Sequence, residues 1–271
     1  MAVQRHRQAP RAQRGPEPTP GPGEVVVDVK AAGICHSDVS AIDDAGWMPL
    51  FPELPHTMGH ENAGVISAVG EGMDHWQVGD RVGLAPMNSK GEAIGYHSWE
   101  GGFGPKLRAT DDNLVKLPDE VPFDLGAMAT DAGLTAYHAV VAKGGVKKGM
   151  KVGIIGLGGL GYIGAKVASL MGAEVYGAEV NPKTRELKDE MGLTAVAESI
   201  LEFEDVGLEL VVDYAGFGTK EDLAGIYELI QRGELNPPIN HITQADMPDA
   251  IEKLREGGVI GRYIAMYDDA K

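Results

Sequence analysis

The sequence predicts an α/β fold in two parts, a mostly-β part followed by a shortened parallel-sheet part. Three observations carry this. Between residues 24 and about 118, short β-branched runs alternate with glycine and proline turns. From "FDLGAMATDAGLTAYHAVVAKGG" onward the apolar spacing becomes helical. Then "KVGIIGLGGLGYIGAKVASLMGAEVYGAEVNPKTRELKDEMG" reads as strand, glycine turn, helix, strand, helix, which is a βαβ unit. With 271 residues and 43% hydrophobic content, the chain can bury the cores of two modest domains.

The elements follow in order. "MAVQRHRQAPRAQRG" carries four arginines and no acid, the composition of a transit peptide or a basic tail. It lacks serine and a clear apolar face, so it reads as a disordered tail. "PEPTPGPG" stops any helix, and "EVVVDVKAAGI" behind it reads as a strand. "NAGVISAVGEG" and "DRVGLAPM" read as further strands. After the βαβ unit, "LELVVDYAG" (208 to 216) is an apolar run bounded by glycine, as expected of a buried parallel strand. "KEDLAGIYELIQRG" reads as a capped amphipathic helix and "ADMPDAIEKLREG" as a second, before a final strand "GRYIAMY". The predicted domains are residues 1–133, 134–238 and a C-terminal return, 239–271, to the first.

The formal charge of −16 repels phosphate backbones and anionic lipid surfaces, which argues against nucleic-acid and membrane partners. A small neutral substrate is compatible with it. No window approaches the ~18 consecutive apolar residues of a membrane span. A single cysteine, Cys35, excludes an intramolecular disulfide and suits a reducing cytoplasm.

"GLGGLG" places Gly156, Gly158 and Gly161 in G-x-G-x-x-G spacing between a strand and a helix, with Gly159 and Leu160 completing the turn. Gly156 permits the sharp turn, Gly158 lets the backbone approach a pyrophosphate, and Gly161 lets helix and strand pack closely. This predicts a Rossmann nucleotide site. Glu179, 18 residues beyond Gly161, ends the second strand, where an acid hydrogen-bonds the adenosine ribose and repels a 2′-phosphate. NAD is therefore expected over NADP. Lys183 and Arg185 close behind soften that discrimination, and a cap on the next helix is the ordinary alternative for Glu179.

Cys35 lies in "AAGICHSDVS"; His60 and Glu61 follow in "MGHENAG", and Asp131 in "ATDAGLTAYHA". Thiolate, imidazole and carboxylate together suit zinc, and a catalytic zinc uses three protein ligands and keeps a fourth position open. Each residue alone also has a structural reading: Cys35 as a small core residue, His60 as a loop histidine, Asp131 as a helix cap.

Taken together, "PEPTPGPGEVVVDVKAAGICHSD", "GHENAGVISAVGEG", "VGDRV", "GGFGPKL", "TDAGLTAYHA", "GLGGLG" and "GRYIAMY" resemble the zinc-dependent medium-chain alcohol dehydrogenases. The resemblance implies a GroES-like catalytic domain made from both chain ends around a Rossmann domain, with one zinc ion in the cleft between them. It implies Cys35, His60 and Asp131 as zinc ligands, aspartate replacing a cysteine of better-known relatives, and Glu61 as a nearby acid able to approach the metal. It further implies that zinc polarises an alcohol oxygen, that Ser37 relays the proton outward, and that hydride passes to nicotinamide. Asp38 would fix the tautomer of His60. His36 and Arg262 match basic positions near the cofactor pyrophosphate. Trp47, Met48 and Phe51 have two readings, as walls of the substrate pocket or as core.

Two departures stand out. The four cysteines of a structural zinc are absent from "MNSKGEAIGYHSWEGGFG", so one zinc per chain is expected, with His97 no metal site on its own. And only 19 residues, 217 to 235, separate the fourth parallel strand from the return to the first domain, too few for the second half of a dinucleotide fold. The elements thus missing normally cradle nicotinamide and join two subunits of a homo-oligomer. The sequence leaves open whether they are deleted or belong to a longer parent. The leading expectation is an NAD-dependent alcohol dehydrogenase; the alternatives are a non-catalytic nucleotide- or zinc-binding remnant and a zinc-free quinone reductase of the same superfamily.

Overall fold

The computed structural model describes residues 2–3, 17–51, 53–97, 99–214 and 219–267. The predicted basic tail lies outside them, apart from Ala2–Val3, which pairs antiparallel with His56–Thr57. The chain divides into two compact units, the first Met1–Asp131, Ile239–Gly257 and Arg262–Lys271, the second Ala132–Pro238 and Gly258–Gly261. Among the described residues no helix is long and apolar enough to cross a membrane.

The first unit is built on a seven-stranded sheet. Its axis is the strand Glu24–Ile34, in which Val25, Val27, Ala31, Ala32 and Ile34 are almost fully buried. Register shifts at Val26/Val27 and Val29/Ala31 bend this strand, a bulge effect. One edge of it therefore serves two partners, Lys106–Thr110 along its first half and Arg262–Met266 along its last residues. Glu61–Val69 lines the opposite edge, followed by Arg81–Leu84 and Leu114–Lys116. The C-terminal return contributes Arg262–Met266 and, parallel to it, Ile239–Thr243. That last strand and the helix His36–Asp43 are absent from the sequence reading, because "INHIT" is short and polar and "HSDVSAID" has little apolar periodicity.

The segment with no thiolates is held by polar contacts. Asn88 Oδ1 accepts the N–H groups of Lys90 (3.0 Å) and Glu92 (2.9 Å), and Glu92 Oε2 accepts Asn88 Nδ2 (2.9 Å) and Trp99 Nε1 (3.2 Å). His97 is similarly local, its Nδ1 accepting the Ala93 N–H at 3.2 Å.

The second unit carries a four-stranded parallel sheet in the order Ala195–Ala197, Glu174–Ala178, Lys151–Ile155, Leu210–Val212. The helix Gly159–Leu170 connects its two central strands. This is strand order 3-2-1-4, the first half of a doubly wound sheet plus one strand. The predicted buried strand "LELVVDYAG" is corrected to three residues on the edge of the described sheet. Val211 is 47% exposed because no described strand pairs beyond it, and residues 215–216 of that run lie outside the described residues. The helix expected after Glu179 is two short pieces, Pro182–Arg185 and Lys188–Met191. Lys220–Gln231 starts as predicted on a capping residue, Thr219, which exchanges hydrogen bonds with Asp222. Thr219→Ala is expected to lower stability by about 1 kcal/mol in urea denaturation.

Candidate metal and nucleotide sites

Cys35 directly follows a strand and precedes the helix His36–Asp43, with extended backbone (φ −102°, ψ 157°). The Asp38 carboxylate, in the first turn of that helix, accepts the Cys35 N–H at 2.9 Å. An acid there satisfies an otherwise orphaned donor and the positive end of the helix dipole. His60 and Glu61 sit at the start of Glu61–Val69, next to the Cys35 end of the central strand, since Glu61 pairs with Gly33. Asp131 lies in a π-turn, Ala129–Gly133, and not at a helix cap. Such a turn adds a residue per turn and re-aims the side chains it carries. Thr130 anchors it, donating to Ala127 O (2.6 Å) and accepting the Asn62 N–H (3.0 Å).

These local choices bring the three expected ligands together. Cys35, His60, Glu61 and Asp131 each offer a donor atom within 4.8 Å of the others. His60 Nε2 lies 3.6 Å from Asp131 Oδ2 and 3.3 Å from Ser37 Oγ, while its Nδ1 faces Asp38 Oδ1 at 3.5 Å. An Nδ1–H aimed at Asp38 leaves Nε2 as the ligating nitrogen, turned toward Cys35 and Asp131. Arg262, expected near a pyrophosphate, is buried with its guanidinium on carboxylates. Nε donates to Glu61 Oε2 at 3.0 Å, and Nη2 contacts Glu61 Oε1 and, at 3.3 Å, Asp131 Oδ2. Its Nη1 takes no part in these contacts. His36 is exposed on the first turn of its helix.

Burial pushes the Cys35 thiol up, but Arg262 and a hydrogen bond from His60 outweigh it and hold the pKa below the ordinary thiol value, against the opposing charge of Asp131. Burial disfavours charge on His60, yet Tyr96, Asp38 and Asp131 raise its pKa well above the usual imidazole range. The metal-free site thus holds a proton on His60 at neutral pH. A borderline-soft divalent cation fits this donor set of thiolate, imidazole and carboxylate, and must displace that proton. Zinc affinity is accordingly expected to rise with pH through neutrality, which chelator competition at about pH 6 and about pH 8 measures. Asp38→Asn preserves a capping side chain while removing the charge opposite His60; zinc affinity should fall about tenfold in the same assay, with little loss of stability.

Sequence reasoning missed Tyr96. Its ring lies 5.5 Å from that of His60, 5.6 Å from Phe51 and 5.9 Å from Trp47, and its buried hydroxyl has no hydrogen-bond partner among the described residues. Phe51 packs in the core, while Trp47 and Met48 are partly buried. No spacing rule links residue 96 to residue 60; only the fold brings them together.

In the second unit, Gly156 has φ +75°, a conformation open to glycine, and its N–H bonds to Ala178 O at 2.8 Å. Gly158 caps the helix Gly159–Leu170 and has open space where a Cβ would stand. The first intrahelical bond runs from Tyr162 N to Gly158 O, so the N–H groups of Gly159, Leu160 and Gly161 precede the helical ladder. A Cβ on Gly161 would strike the Gly156 carbonyl. Glu179 does two things at once: Oε2 accepts the Leu157 N–H and Oε1 the Asn181 N–H, each at 2.8 Å. Each oxygen keeps a second lone pair for a ribose hydroxyl. Arg185 Nη1 is tied to the Glu179 carbonyl at 2.6 Å.

A half Rossmann sheet with a glycine-turn helix, and a β unit gathering thiol, imidazole and carboxylate, together define an oxidoreductase-type architecture. Residues 21–119 match the alcohol dehydrogenase GroES-like domain family. An alcohol dehydrogenase of Geobacillus stearothermophilus is 32% identical over 253 residues, covering 87% of this chain and 68% of that one. NADP-dependent alcohol dehydrogenase C of Mycobacterium bovis is 34% identical over 180 residues, 58% of this chain and 51% of that one. Against the crystal structure of the Aeropyrum pernix alcohol dehydrogenase the TM-score is 0.88 at 24% identity, over 98% of this chain and 99% of that one. The chain belongs to the zinc-type medium-chain alcohol dehydrogenase superfamily, and it spans about half to two thirds of the length of these two sequence relatives.

Proposed function

We propose that the protein interconverts an alcohol and its aldehyde or ketone at a zinc ion held by Cys35, His60 and Asp131, with a nicotinamide nucleotide as hydride partner. The observation that carries this is the meeting of those three donors within 4.8 Å, with Ser37 Oγ 3.3 Å from His60 Nε2. Bound there, zinc would supply Lewis acidity to a substrate oxygen. The residues do the rest. Ser37 accepts the alcohol proton and passes it outward. Asp38 holds His60 in its ligating tautomer, and the apolar faces of Trp47 and Tyr96 exclude water beside it. The turn at 156–161 receives the pyrophosphate, with His36 and Arg262 as basic neighbours, and Glu179 takes the ribose hydroxyls and so favours NAD. The Mycobacterium bovis relative is NADP-dependent by name, so both nucleotides belong in the assay. The single cysteine suits a cytoplasmic setting and a homo-oligomer suits the family.

A second reading, a protein that binds zinc and nucleotide without transferring hydride, is favoured by the four-stranded sheet. A complete dinucleotide fold has six parallel strands, the last two beside the nicotinamide half. The deciding assay follows NADH and NADPH absorbance on the zinc-loaded full chain with a panel of primary and secondary alcohols. Turnover that is faster with NAD supports the first reading. Bound zinc and nucleotide with no turnover on any alcohol supports the second.

A further inference from the structure

The cluster contains one donor too many. Glu61 places an oxygen within 4.8 Å of the Cys35, His60 and Asp131 donor atoms, so four side chains are in position to close around a cation. Four protein ligands make a closed, structural type of site; three leave room for a reacting molecule. Something must decide between them, and the geometry points to Arg262.

Its planar fork holds both oxygens of Glu61, Nε on Oε2 at 3.0 Å and Nη2 on Oε1, whereas Asp131 receives a single, longer contact of 3.3 Å from Nη2. Bidentate pairing of a buried guanidinium and carboxylate is the stronger arrangement, so a cation draws Asp131 away from Arg262 more readily than Glu61. The backbone fixes this choice. Glu61 is paired with Gly33 on one edge of the central strand, and the Arg262–Met266 strand runs along the other edge, where Gly33 pairs with Ile264. A Cβ on Gly33 would collide with the Glu61 carboxylate, so the missing side chain opens the passage by which Glu61 crosses the strand to Arg262.

We propose that Arg262 is a positioning residue that withholds Glu61 from the metal, leaving Cys35, His60 and Asp131 as the ligands and a fourth position open. This rests on the metal-centre reading above. Removing the clamp frees Glu61 to become a fourth ligand and closes the site.

Cobalt(II), loaded into the full chain in place of zinc, tests this through its visible absorption, which changes when an added ligand such as imidazole enters an open coordination position. The native chain should show thiolate-cobalt absorption that shifts with imidazole. In Arg262→Gln the cobalt should stay bound but the imidazole response should be lost, and in Arg262→Gln/Glu61→Gln it should return. An Arg262→Gln protein that responds like the native chain overturns the proposal while leaving the metal centre intact. No cobalt bound by the native chain overturns the metal-centre reading and the proposal with it. Should Arg262→Gln fail to fold, Glu61→Gln alone decides: with Arg262 present, the cobalt spectrum and its imidazole shift should be unchanged, and an altered spectrum means Glu61 was already a ligand.

Discussion

Cys35→Ala is expected to lower zinc affinity by about two to three orders of magnitude while leaving the fold in place. Zinc bound by cysteine and histidine sets contributes about 10–16 kcal/mol in small folded sites, which shared over three or four ligands is about 3–4 kcal/mol for each. At 1.4 kcal/mol per tenfold this gives the stated loss. The side chain is small and partly exposed, so removing its sulfur leaves little cavity. The helix behind it keeps its acidic first turn, because Asp38 bonds the residue 35 backbone and not its side chain. Chelator competition reads the affinity, and urea denaturation of the metal-free protein reads the fold. A variant that binds zinc as tightly as the native chain would remove Cys35 from the site.

The second large effect is expected at Gly161. A valine there drives its Cβ into the Gly156 carbonyl oxygen, a backbone atom fixed by the Gly156 N–H bond to Ala178. Overpacking against backbone costs about 3 kcal/mol, and valine's helix propensity recovers only a few tenths of it. Relaxation must move the turn that presents Gly158 and the helix N-terminus, so nucleotide binding should fail together with stability. Gly161→Val should therefore unfold at lower urea and show NADH fluorescence binding weaker by about tenfold or more, the equivalent of 1.4 kcal/mol of lost contact. Unchanged NADH affinity in a destabilised Gly161→Val protein would separate the turn from the nucleotide.

Both predictions concern residues whose importance could be read in the chain itself, and the reason is physical. A glycine turn between a strand and a helix is a local pattern, so its geometry follows from neighbours within a few residues. Cys35, His60 and Asp131 are far apart in sequence, and their types could suggest a zinc site, but only the folded sheet shows their donors meeting within 4.8 Å. What stayed hidden depends on contacts that no spacing encodes. Arg262 reaches Glu61 across 201 positions, through a gap left by Gly33. Tyr96 comes beside His60 because a loop held by Asn88, Glu92 and Trp99 folds over it. The π-turn carrying Asp131 has no letter pattern of its own, since its widening depends on Thr130 bonding to Asn62. The edge position of Leu210–Val212 was equally unreadable from its apolar letters, which suit a buried strand as well as an unpaired one.

Anomalous X-ray scattering at the zinc edge, from crystals of the zinc-loaded full chain, tests the metal site most directly. One peak per chain is expected, bounded by the sulfur of Cys35, Nε2 of His60 and a carboxylate oxygen of Asp131. A peak at other residues, or none at this cluster, would contradict the account.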